Sequence, residues 1–136
     1  MKVAVFGGTG FVGSYIVDEL INNDYEPVVL VREGSESKLV NSEKCKIITG
    51  DLDDIKSIES TIEGVDAIIY CVGIIREFPK KGITFEKLHF QAAKQCIDIA
   101  NAKNIKRFIM MSANGVKVDG TGYQKTKYLA EEYLEF

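Results

Sequence analysis

Residues 2–13 read KVAVFGGTGFVG: an apolar run from Val3 to Phe6, glycines at 7, 10 and 13, and then the first residues of a new apolar stripe. A β-rich run, a glycine turn and a helix start in that order make a phosphate site, because the helix N-terminus offers free backbone N–H groups and glycines leave them accessible. Gly7, Gly10 and Gly13 fall at the turn, at the point of closest approach and at the point where helix meets strand. Glycines at this spacing also serve turns that bind nothing. The rest of the chain must therefore supply the other contacts of a nucleotide.

Short apolar runs recur after that loop, each followed by a helical pattern. Val3–Phe6, Val28–Val31, Lys46–Thr49, Ala67–Cys71 and Phe108–Met111 read as five strands. Phe11, Val12, Tyr15, Ile16 and Leu20 form a helical stripe that ends at Asn22-Asn23-Asp24. A shorter helix is expected from Asp53 to Ile62, capped by Asp51 or Asp53 and stopped near Gly64. The longest helix is expected over Thr84–Lys103, with Phe85, Leu88, Ala92, Cys96 and Ile99 on one face, and a last one over Tyr123–Leu134. Strands that alternate with helices and are apolar along their whole length predict an α/β fold, a doubly wound parallel sheet of order 3-2-1-4-5 covered on both faces.

Composition narrows the classes. The 136 residues, 46% of them hydrophobic, suffice for one domain, residues 1–136. A net charge of −3 with no basic stripe argues against nucleic acid as a partner. Cys45, Cys71 and Cys96 are far apart and have no CxxC pairing, so they read as reduced core residues. His89, the sole histidine, lies inside a helical pattern and reads as a packing or solvent-facing residue, and no metal site is expected. No apolar run approaches the ~20 residues that span a bilayer, and a cytoplasmic location is expected, with peripheral membrane association left open.

The second strand ends in VVLVRE, and Arg32 follows Gly13 by 19 residues. A carboxylate at this position holds the ribose hydroxyls of NAD, whereas a guanidinium pairs with the additional phosphate of NADP. Arg32 points to NADP; Glu33 as the ribose partner is the alternative and would favour NAD. Asp51, in GDLDD after the third strand, is placed either to meet an adenine amino group or to cap the following helix.

Taken together, GGTGFVG, the arginine after strand two, GDLDD, YCVGIIRE and the run from ITFEKLHFQAAKQCIDIA into KRFIMMSANGV resemble the extended and atypical short-chain dehydrogenase/reductases. The stretch from CVGIIRE to SANGV is most similar to the branch that holds the 39 kDa accessory subunit of respiratory complex I and its bacterial, epimerase-like relatives. The resemblance implies a Rossmann fold. It adds Thr9, Phe11, Val12, Leu52, Cys71, Val72 and Gly73 to Gly7, Gly10, Gly13, Arg32 and Asp51 as cofactor contacts.

The family's catalytic signature, YxxxK, matches Tyr123 to Lys127. Residues four apart share a helix face, so phenol and ammonium both reach the same ribose. An ammonium about 4 Å away in an effective dielectric of about 20 favours phenolate by about 4 kcal/mol, which brings an otherwise weak phenol base into range for acid–base work. Ser112 is the implied carbonyl-polarising hydroxyl. Two departures stand beside it: Ala113 lies where the family often has its hydroxyl, with Asn114 as a substitute, and only 11 residues separate Ser112 from Tyr123. The alternative to an enzyme is thus a non-catalytic NADP(H)-binding accessory or redox-sensing subunit. The family continues beyond this helix with a further strand and a substrate lobe, so the 136 residues are expected to form the N-terminal part of a longer protein. The fifth strand would then be an open edge, which predicts self-association or membership of a larger complex.

Overall fold

A computed structural model describes residues 1–39, 41–74, 76–113 and 115–135. Five parallel strands, β1 (Lys2–Phe6), β2 (Glu26–Val31), β3 (Lys46–Thr49), β4 (Ala67–Tyr70) and β5 (Phe108–Met110), form one sheet in the order β3-β2-β1-β4-β5. Four helices connect or follow them: α1 (Phe11–Asn22), α2 (Ile55–Ile62), α3 (Ala92–Ala102) and α4 (Gly122–Glu135). A π-helical turn, Glu86–Gln91, leads directly into α3.

Strand periodicity divides the core in two. Val3 and Val5 join Val29, Val31 and Val17 of α1 on one face; Ala4 and Phe6 join Ile58, Ile62, Ile68, Tyr70 and Cys96 on the other. Because both neighbours of β1 are buried strands, Val5 pairs across to Val29 and to Ile69. Both faces of the sheet are covered there, which explains why β1 is apolar from Val3 to Phe6 instead of alternating. The expected fold and strand order are the observed ones. β5 hydrogen-bonds only to β4 among the described strands, and Ile109 and Met111 stand exposed along it.

Several boundaries differ from expectation. β2 starts at Glu26 and includes Pro27, which is tolerated because pairing to β3 begins only at Val28. β4 and β5 each stop one residue early, at Tyr70 and Met110. The cap of α2 is neither Asp51 nor Asp53 but Asp54, which accepts the Lys56 N–H at 3.3 Å and the Ser57 hydroxyl at 2.8 Å. Asp51 instead accepts the Asp53 N–H at 3.1 Å, closing a small turn that pushes the helix start two residues on. Replacing Asp54 by Ala is expected to cost about 1 kcal/mol of unfolding free energy in urea. Asp53→Ala removes only an exposed ion pair to Lys87 and is expected to cost less than about 0.5 kcal/mol; equal losses would contradict the assignment of the cap.

Candidate functional site

The order of the sheet reverses between β1 and β4, and a parallel sheet opens a crevice beyond the carboxyl ends of its strands at such a point. The crevice is present as a cleft of about 550 Å3. Gly7, Thr9 and Gly10 form its floor, Arg32 and Asp51–Leu52 one flank, and Cys71, Val72 and Gly73 the other. Nine of the residues expected to hold a cofactor are thereby brought to one place.

The loop after β1 shows why glycines stand there. Gly7 has φ of +93°, and a Cβ on it would lie 2.8 Å from the Cys71 carbonyl group. At Gly13 a Cβ would fall 1.8 Å from the Gly7 carbonyl oxygen, so helix and turn touch backbone to backbone. Gly10 differs: a Cβ there would meet only the Gly7 oxygen, at 3.4 Å, and its face opens to the cleft. Gly10 caps α1 without a side-chain hydrogen bond, and no acidic residue occupies the first turn. The helix start is therefore left with free donors and an uncompensated positive dipole end, the arrangement a phosphate needs. Gly13 itself lies beneath this loop, and the Phe11 and Val12 side chains point to solvent, Phe11 with 81% of its surface exposed, so neither side chain lines the cleft.

Arg32 is exposed on the cleft rim, whereas Glu33, its rival, is not among the lining residues. Lys81, Ile83 and Lys87, which the sequence reading did not single out, also line the cleft. Lys81 and Ile83 lie in the connection between β4 and the π turn, where no periodic pattern marks them, and Lys87 lies in the π turn itself. Lys87 reaches across to Asp53 at 2.8 Å, tying that wall to the loop after β3.

Ser112, Tyr123 and Lys127 are not among the lining residues, and of the three Lys127 reaches the cleft wall, at Gly73. A Cβ at Gly73 would lie 3.2 Å from Lys127 Nζ. Lys127 is buried and donates to the Met111 carbonyl at 3.1 Å; burial lowers its pKa. The hydroxyl of Ser112, the next residue, is buried with no hydrogen-bond partner among the described residues. A buried hydroxyl left unpaired costs about 1–3 kcal/mol. Asn114, expected to replace the polarity missing at Ala113, lies outside the described residues.

A capping box aims α4. Thr121 Oγ1 accepts the Gln124 N–H at 3.3 Å and Gln124 Oε1 accepts the Thr121 N–H at 3.0 Å, a T-x-x-Q signal that was legible in the sequence but not used. The Tyr123 ring then stands edge-on to Phe85 at 5.8 Å and to His89 at 5.1 Å. His89 packs in the interior, as one of the two expected readings had it, and is hydrogen-bonded through both ring nitrogens. It is 1% exposed, its Nε2 accepts the Ile74 N–H at 3.0 Å, and its Nδ1 lies 3.1 Å from Thr126 Oγ1. Burial, reinforced by the Lys127 ammonium, lowers its pKa to about 4. Burial raises the Cys71 thiol, which lines the cleft, to about 11, so it stands there as a neutral, weakly polar group.

Among the described residues no group of side chains is arranged to hold a metal, and no helix is long and apolar enough to cross a membrane. The profile of the NAD(P)H-binding family matches residues 7–135. Sterol-4-alpha-carboxylate 3-dehydrogenase, decarboxylating, of Dictyostelium discoideum is 25% identical over 98% of this chain and 47% of its own length. The mitochondrial NADH-ubiquinone oxidoreductase 40 kDa subunit of Neurospora crassa is 28% identical over 80% of this chain and 30% of that protein. A Bacillus halodurans structure assigned as an NAD-dependent epimerase/dehydratase superposes with a TM-score of 0.80 at 26% identity, covering 99% of this chain and 64% of the other. The chain thus spans less than half the length of these two relatives, 47% and 30%. With the switch-point cleft, the bare glycine helix start and a family match over nearly the whole chain, it belongs to the NAD(P)H-binding family, within the extended short-chain dehydrogenase/reductase and epimerase-like superfamily.

Proposed function

We propose that these residues are the dinucleotide-binding domain of an oxidoreductase or epimerase that acts on a secondary alcohol or carbonyl, and that they take NADP(H) in preference to NAD(H). The observation that supports this reading is the approach of Lys127 Nζ to Gly73 in the cleft wall, which agrees with a Tyr123–Lys127 pair at the nicotinamide end of a dinucleotide whose adenosine end meets Arg32 and Asp51. The N–H groups of the α1 start hold the pyrophosphate, with Thr9, Gly7 and Gly10 shaping the approach. Asp51 accepts from the adenine amino group, and Leu52 packs on the ring. Val72 and Gly73 support the nicotinamide half. The bound nicotinamide supplies or accepts the hydride. Tyr123 gives or takes the alcohol proton, the Lys127 ammonium stabilises its phenolate, and the unpaired Ser112 hydroxyl donates to the substrate oxygen. We read residues 1–136 as one domain of a longer protein, in keeping with the share of its relatives that it spans.

The cofactor preference rests on Arg32 standing at the rim while Glu33 does not line the cleft. In an Arg32→Ala variant, the ratio of NADP to NAD affinity is expected to fall at least about tenfold, since a charge-assisted pair to a phosphate contributes about 1.5–3 kcal/mol. Titration of both dinucleotides into parent and variant measures it, and an unchanged ratio would contradict NADP preference. A second reading is favoured by Ala113 and by the likeness to a respiratory-complex subunit: a chain that holds NADP(H) within a larger assembly without turning it over.

A further inference from the structure

The π turn Glu86–Gln91 brings His89 between two elements that the proposed chemistry must keep in register. One is the segment Cys71–Ile74 that walls the cleft; the other is α4, which carries Tyr123 and Lys127. The Ile74 N–H can only donate, so His89 Nε2 accepts and carries no proton. On the other side, the Thr126 hydroxyl donates to the Gly122 carbonyl at 2.8 Å, which leaves its oxygen to accept from His89 Nδ1–H. Both ring nitrogens are thus satisfied by a single neutral tautomer. Phe85 stacks on the ring at 5.3 Å and 25°, and the hydroxyl of buried Tyr70 donates to the Leu88 carbonyl at 2.5 Å, anchoring the turn from below. Gly73 lies at the centre: a Cβ there would be 3.2 Å from Lys127 Nζ and 3.7 Å from His89 Nε2.

We propose that His89 is a positioning residue that spaces the Gly73–Ile74 wall from the Tyr123–Lys127 helix through its two ring nitrogens, and so sets where the nicotinamide half of the dinucleotide lies. The inference rests on the dinucleotide reading above. α4 presents Lys127 and Tyr123 to the ring, and the wall presents the backbone of Gly73 and Ile74, so a protonated imidazole would meet an ammonium and turn a donor toward the Ile74 N–H. The contacts at the adenosine end, Arg32 and Asp51, are not among the groups it touches.

Because His89 is the sole histidine, imidazole 15N spectra of the labelled protein report on it alone. The expected spectrum at pH 7 is that of the neutral Nδ1–H form, with a titration midpoint of about 4. The second arm compares His89→Gln, which keeps an acceptor for Ile74, with His89→Leu and Thr126→Val, using the affinity and emission of bound NADPH. Leu and Val variants are expected to bind NADPH within about threefold of the parent but to lose the shift in nicotinamide emission, while Gln retains it. A charged or Nε2-protonated ring at pH 7, or an emission shift unaltered in both His89→Leu and Thr126→Val, would overturn the proposal. If the parent itself fails to bind NADPH, the dinucleotide reading falls, and the tautomer in the free protein still decides whether the clamp exists.

Discussion

Gly13→Ala is expected to reduce dinucleotide affinity more than about 100-fold and to destabilise the fold by about 3 kcal/mol, the upper part of the range for overpacking. The reason is local and rigid. The added methyl would sit 1.8 Å from the Gly7 oxygen and 2.7 Å from its carbonyl carbon, both backbone atoms, so no flexible chain end can retreat. Either α1 tilts away from β1 or the turn opens, and in both cases the N–H groups at the helix start lose their common aim. Gly10→Ala separates the two effects. Its Cβ would meet only the Gly7 oxygen, at 3.4 Å, and Gly10 has φ of −77°, which alanine accepts. It is therefore expected to change stability by less than about 0.5 kcal/mol yet weaken binding at least about tenfold, because the methyl occupies the approach of the phosphate. Chemical unfolding and dinucleotide titration of the two variants measure both effects. If Gly13→Ala binds like the parent, the glycine loop is a turn and no more.

The second large effect is expected at Tyr123. Replacing it with Phe removes one oxygen and leaves the edge-on packing against Phe85 and His89 in place. Under the proposed function, hydride transfer falls by about 10²–10⁴-fold, the usual contribution of a positioned acid–base group. NADPH affinity stays within about threefold, since the cleft residues are untouched. The assay follows nicotinamide absorbance over a panel of ketones and nucleotide sugars with the full-length protein. Turnover by the parent that survives the substitution would remove Tyr123 from the mechanism. Absence of turnover by the parent on every substrate would favour the accessory-subunit reading.

Most of the fold was legible because its central strands are buried on both faces and its helices carry single stripes. Val3–Phe6 could be read with little error for that reason, whereas Lys46–Thr49, exposed or half-buried, was legible from its β-branched run alone. The loop carrying Gly7, Gly10 and Gly13 was legible too, since its local order of strand, turn and helix is written in consecutive residues. The cap of α2 was not: in GDLDD three aspartates compete, and an Asx turn at Asp51 decides for Asp54. Likewise, Lys81 enters the cleft from a connection without periodicity and Lys87 lies off the apolar stripe of the expected helix, so only the folded chain shows them in the cleft lining. The hydrogen bonds of His89 were not legible because one imidazole in an apolar stripe gives no signal of its partners, Ile74 and Thr126, which are 15 and 37 residues distant.

The central claim is that the switch-point cleft holds the dinucleotide from the glycine loop to Gly73. Hydrogen exchange of the backbone amides, with and without saturating NADPH, tests it most directly. At a ligand concentration about 100 times its Kd, binding adds about 2.7 kcal/mol to global stability, and protection beyond that uniform gain marks the site itself. The account predicts additional protection concentrated at residues 7–13, around Arg32, at Asp51–Leu52 and at Cys71–Gly73. Unchanged exchange throughout, or protection confined to segments outside the cleft, would contradict it.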